Sequence, residues 1–151
     1  MTRLNLAAVL GIAACLPRLY APPPLITGDV PTADAGHFEF YTGLRYQDTG
    51  RIHRQLPHAE LVYGIAPGWE ISAEGNYLSR AGQHGLEDFT IATKTVLLAE
   101  SATRPGVGAS YEFKLDNGDA ARGLGTGGHE HDVRLRAQKT FGRLTPILNV
   151  G

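Results

Sequence analysis

From His37 onward the apolar residues fall on every second position. Phe38, Phe40, Thr42, Leu44 and Tyr46 alternate with His37, Glu39, Tyr41, Gly43 and Arg45. Five more runs repeat the pattern: Ala59 to Ile65, Trp69 to Tyr77, Phe89 to Leu97, Val107 to Leu115 and Val133 to Phe141. A seventh, Leu144 to Val150, is interrupted by Pro146. Successive side chains of a β-strand point to opposite faces, so each run makes one apolar and one polar face. No long stretch carries the 3.6-residue apolar period of an amphipathic helix. The expected fold is all-β, an antiparallel up-and-down meander in which consecutive strands pair.

The same alternation suits two environments. In a soluble barrel or sandwich the apolar face packs inward. In a transmembrane β-barrel it meets lipid and the polar face lines the lumen. Strand length favours the membrane, because about 9–11 residues cross a bilayer when tilted. So do the connections. Ala66-Pro67-Gly68, Thr103-Arg104-Pro105-Gly106 and Phe141-Gly142-Arg143 are short, whereas Gln47 to Pro57, Ser79 to Gly85 and Asp116 to His131 are longer and polar. Tyr46, Tyr63, Trp69, Tyr77 and Phe141 lie near strand ends on the apolar face, where interfacial girdles belong. A hydrophobic content of 42% excludes a bundle of membrane helices but is near what alternate apolar positions require. Glycine is in excess, 19 of 151 residues against a usual share of about 7%. Gly43, Gly64, Gly75 and Gly108 fall inside strands, where curvature or a close backbone approach is expected.

Three segments are expected: a signal peptide over residues 1–21, a proline-rich lead-in over 22–36 and a β-barrel domain over 37–151. Arg3 precedes an uncharged stretch from Leu4 to Leu16, which is too short to span a bilayer as a helix. Ile12-Ala13-Ala14-Cys15 also resembles a bacterial lipobox, so lipidation at Cys15 stands beside cleavage near Ala21. Either address exports the chain. A lone cysteine allows no intrachain disulfide. The net charge of −1 lacks the basic footprint of a nucleic-acid partner.

Several segments, in chain order, carry a family resemblance. They are Pro24-Leu25-Ile26-Thr27-Gly28-Asp29-Val30-Pro31, Gly36-His37-Phe38-Glu39-Phe40 and Leu56-Pro57-His58-Ala59-Glu60-Leu61-x-Tyr63-Gly64. Gly85-Leu86-x-Asp88 with Lys94, and Arg122-Gly123-Leu124-Gly125-Thr126-Gly127, complete the set. Together they resemble a family of bacterial outer-membrane proteins named for the meta-pathway of phenol degradation and described as transporters. The resemblance implies an outer-membrane channel or transporter for small compounds, with aromatic ones suggested by the family's name alone. Members look about twice as long, which implies that this chain matches their N-terminal part and that its barrel is incomplete. Two departures are the glycine at Gly28, where the family tends to have Asp, and the final Asn149-Val150-Gly151, which lacks a terminal aromatic. Two alternatives stay open: a soluble periplasmic β-barrel binding a small apolar ligand, and a lipoprotein anchored at Cys15.

The candidate functional residues are the charges of the polar face. Glu60, Glu70, Glu74, Asp88, Lys94, Glu112, Lys114, Arg134 and Arg136 would line a lumen and pair or select solutes there. Neither a catalytic, a cofactor nor a metal site is expected. Gly123-x-Gly125-x-x-Gly128 matches the dinucleotide fingerprint in letters, but an alternating strand pattern follows it where a helix is required. Gly128-His129-Glu130-His131-Asp132, with His84 in the preceding long connection, reads as a polar loop rather than a metal site. Ser79 and His84 are the only candidates for a lipid-directed enzyme at a barrel rim, and no Gly-x-Ser-x-Gly context supports them. The expected partners are outer-membrane lipid and a small solute.

Overall fold

The computed structural model describes residues 28–46, 54–80 and 82–151. The expected signal peptide, Cys15 and the first part of the lead-in lie outside these residues. The fold is an all-β antiparallel meander, as the alternation predicts. Its strands are β1 (Phe38–Tyr46), β2 (Arg54–Ala66), β3 (Trp69–Arg80), β4 (Gln83–Leu86), β5 (Thr90–Leu98), β6 (Gly106–Lys114), β7 (Glu130–Gln138) and β8 (Ile147–Val150). Seven of them form the path β1-β2-β3-β5-β6-β7-β8, and β4 pairs the far end of β3.

Each turn follows from its residues. β2 and β3 meet at Pro67-Gly68, where Gly68 has φ +76°. β7 ends three residues before the alternation does, because Phe141 to Leu144 closes a tight turn with Gly142 at φ +62°. Pro146 has no N–H to donate, so β8 begins only at Ile147. The stretch Ser79 to Gly85 departs from expectation. It is a hairpin, not a loop: β3 runs on to Arg80, and β4 folds back with Tyr77 opposite Leu86 and Ser79 opposite His84.

The register puts like faces together across the whole sheet. Phe40, Leu61, Ala73, Ile91 and Phe113 form one rung on the apolar side, each opposite the next. Tyr41, Glu60, Glu74, Thr90 and Lys114 form one on the polar side. The sheet is not closed: among the described residues β1 and β8 each pair on one side only.

The two faces are covered in the reverse of the soluble pattern. Phe40 is 63% exposed, Leu61 47% and Val133 63%, together with Ile71, Ile91, Tyr111 and Leu135. The polar face carries the buried positions, among them Val62, Glu70, Leu78, Ser110 and Arg136. What covers it is the described part of the lead-in, residues 28–36, which crosses this face as a strap. Val30 and Ala33 are buried on it. The Val30 N–H donates to Gln138 Oε1 at 2.8 Å, and the Ala33 N–H donates to Glu70 Oε2 at 2.6 Å. Burying a valine side chain contributes roughly 1.5–3 kcal/mol. Ala35 then bridges Gly64 in parallel, and the chain turns into β1. The described part of the lead-in, residues 28–36, is irregular apart from the Ala35 bridge, and it lies over the sheet rather than before it.

Gly64 is what lets the strap lie so close. A Cβ there would come within 2.2 Å of the Asp34 carbonyl oxygen. Gly106 and Gly108 floor the strap under Val30. Gly75 meets a ring instead, with Phe89 Cε1 at 2.7 Å from its would-be Cβ. Gly43 has nothing near it, but the β1–β2 register shifts just beyond it.

Candidate functional site

Eight of the nine candidate charges stand on the polar face as their parity requires. Glu60 lies on β2, Glu70 and Glu74 on β3, Lys94 on β5, Glu112 and Lys114 on β6, and Arg134 and Arg136 on β7. The acids Glu60, Glu70 and Glu74 gather on β2 and β3, joined by Glu39 on β1. The cations gather on β5 to β7. Glu60 stands directly opposite Glu74, a like-charge pairing that is unfavourable by itself. His58 relieves it, with Nδ1 3.4 Å from Glu74 and 3.0 Å from Asn76 Oδ1. On β1, the Tyr41 hydroxyl donates to Glu39.

The basic half is a network of ion pairs. Lys94 Nζ lies 3.0 Å from Glu70 Oε1 and 3.6 Å from Asp29 Oδ1, which ties the strap to both halves. Lys114 pairs Glu130 at 2.6 Å. Arg134 pairs Asp132 through Nε at 2.8 Å and Glu112 through Nη1 at 3.6 Å. Arg136 reaches the same Glu112 through Nη2 at 3.8 Å. Arg136 is only 6% exposed, and its Nε and Nη1 have no hydrogen-bond partner. The Ser110 hydroxyl and both polar atoms of the Asn149 side chain are in the same position. Asn149 lies opposite Arg136 in the register, and Ser110 lies opposite Arg134 on the same face.

Asp88 is placed differently. It precedes β5, and its carboxylate organises the long connection that leads to β7. Oδ1 accepts from the N–H groups of Asn117 (3.1 Å) and Gly118 (2.6 Å). Oδ2 accepts from the Thr126 N–H at 2.8 Å and from its hydroxyl at 3.2 Å. Asn117 returns the bond by accepting the Phe89 N–H. Leu124 is buried under this loop, 2.8 Å from where a Gly85 Cβ would stand. The loop contains a short 3₁₀ turn, Ala120–Arg122, capped by Asp119. Arg122 reaches back to Gln83 Oε1 and the His84 carbonyl of the β4 hairpin. The strap covers the polar face at the short-turn end, and this loop covers it at the other.

Burial acts to raise the Asp88 carboxyl, but the donors from Thr126, Gly118 and Asn117 outweigh it and leave its pKa below the usual value. The sign follows. The carboxylate stabilises the loop fully above the unfolded value near ~3.9, and the contribution is lost as pH falls through the lower folded value. Asp88→Ala should therefore release hydrogen-exchange protection at Asn117, Gly118 and Thr126 at neutral pH. The native protein should lose it at those amides only in acid. Unchanged protection in the variant would remove this role from Asp88.

The remaining motifs have local explanations. His131 Nδ1 lies 2.7 Å from the Tyr111 hydroxyl, and His129 and His131 both pack against the Phe113 ring. This aromatic cluster borders the long-loop end of the apolar face. Among the described residues no group of three or more His, Cys, Asp or Glu is arranged to hold a metal ion. Gly123, Gly125 and Gly127 belong to the Asp88 loop, and β7 follows them. Ser79 and His84 are direct cross-strand partners in the β3–β4 hairpin, with no hydrogen bond between their side chains. No protein-family model, curated protein or solved structure matches the chain.

Proposed function

We propose that this chain forms a wall of an outer-membrane β-barrel that passes small solutes along its polar face. The observation that carries this reading is the placement of the two faces. Apolar side chains stand exposed on strand after strand, from Phe40 on β1 to Val150 on β8. An exposed apolar surface of that extent marks contact with a membrane or another protein. The charged side chains meanwhile occupy the covered face, where a lumen would be. The export signal and the resemblance to the phenol meta-pathway family of outer-membrane proteins support the same reading. In lipid both free sheet edges must be paired, so the membrane form requires closure of the edges of β1 and β8.

Such a lumen would carry an acid-rich stretch on β1 to β3 and a mixed, ion-paired stretch on β5 to β7, and charged side chains along a lumen discriminate among solutes. The strap and the Asp88 loop narrow the path at either end. The test is fractionation followed by reconstitution. The protein should stay with the outer-membrane pellet through a high-salt wash and leave it only in detergent. Liposomes containing it should swell in small sugars. Release by osmotic shock alone would overturn the membrane assignment.

A further inference from the structure

We propose that Arg136, with Ser110 and Asn149 beside it, forms a subsite for a small organic carboxylate on the polar face. The inference deepens the channel reading and rests on it for the access of solute. Among the described strand cations of this face, Lys94, Lys114 and Arg134 each have a carboxylate within 3.0 Å. Arg136 differs. Its ion-pair partner, Glu112 Oε1, lies at 3.8 Å, and two of its three guanidinium nitrogens have no acceptor. Ser110 is likewise 6% exposed, and its hydroxyl has no partner.

Apart from Asn149 Oδ1, which is an unpartnered acceptor, every unmet group of the cluster can donate. A guanidinium carries five donors and no acceptor, a hydroxyl one donor and an amide two. Leaving such groups buried and unmet is costly, most of all for a charged group. An anionic oxygen pair supplies what is missing, and carboxylate matches the planar guanidinium. The charge of the surroundings favours a single negative charge over a dianion, because Glu112 already lies beside the same guanidinium. Gly108 stands opposite Arg136 with Val30 of the strap seated over it, and Gly28 of the strap lies close to the Arg136 Nε, so a solute reaches the guanidinium only along the edge of the strap. The strap therefore forms one side of the subsite.

Butyrate and its neutral isostere butyramide separate the alternatives. In detergent-solubilised full-length protein, butyrate should bind saturably by equilibrium dialysis, whereas butyramide should not. Arg136→Met should weaken butyrate binding at least tenfold. Asn149→Asp offers a second, conservative route, since it places a carboxylate opposite Arg136. It should abolish butyrate binding while keeping the folded gel mobility. Tighter binding of inorganic phosphate than of butyrate would overturn the carboxylate class. Equal binding by the parent and by a folded Asn149→Asp variant would overturn the site. Liposome swelling reads the channel separately. Swelling without butyrate binding leaves the channel and removes the subsite, and binding without swelling does the reverse.

Discussion

Leu61→Arg should prevent stable insertion of the sheet into a bilayer. Leu61 sits in the middle of the thirteen-residue β2, on the exposed face, opposite Phe40 and Ala73. An arginine facing lipid near the midplane of a barrel costs about 2–4 kcal/mol, and the cost falls toward the interfaces. The polar-face control is Thr90→Arg. Thr90 stands between Glu74 and Lys114, so a cation there meets one acid and one basic neighbour, which offset each other, and no lipid. Urea titration of protein refolded into vesicles should show the large loss for Leu61→Arg and less than about 1 kcal/mol for Thr90→Arg, the median worth of an exposed ion pair. Equal losses at the two positions would mean that the apolar face does not meet lipid.

The second large effect is expected at Gly64. Gly64→Val places a branched side chain where the Asp34 carbonyl oxygen stands 2.2 Å and the Ala33 carbonyl oxygen 2.9 Å from the would-be Cβ. Both obstacles are backbone, so the strap has to move. The Gly36 N–H bond to the Gly64 carbonyl and the Gly64 N–H bond to the His37 carbonyl go with it. Overpacking typically costs 1–3 kcal/mol, and the lost strap contacts add to it, for a total on the order of 3 kcal/mol. Proteinase K should then cut within residues 28–36 of the variant under conditions that spare the parent. Gly43→Ala is the matched control, because nothing lies within 4 Å of its would-be Cβ. A variant at Gly64 as resistant as the parent would mean that the strap is not held by this approach.

The strand set was legible because period two is a local signal and persists through six runs. The β4 hairpin was not legible, since Gln83-His84-Gly85-Leu86 is too short and too polar to show a period. Which face is covered could not be read either, because alternation is symmetric in its two faces. The cover itself comes from far away. Val30 rests on Gly106 and Gly108 and bonds Gln138, and no window of sequence contains all four. Asp88 has the parity of the polar face, yet β5 starts two residues later and its carboxylate turns to the Asn117–Thr126 loop. Arg136 was visible as one cation among several. Its lack of acceptors depends on which strand lies beside which, and register is not written in a single strand's residues.

The strap also fixes an order of events. It leaves the ribosome before every strand, yet its contact with Gln138 closes 108 residues of chain. Hairpins such as β2–β3 need only a few residues of loop and form early, because local contacts incur little loop entropy. The strap's contacts with Gly64 and Glu70 need only β2 and β3, but the Val30 bond to Gln138 waits until β7 has joined the sheet. The seat of Val30 is accordingly completed late, and the start of the strap reports whether the sheet has been assembled as far as β7.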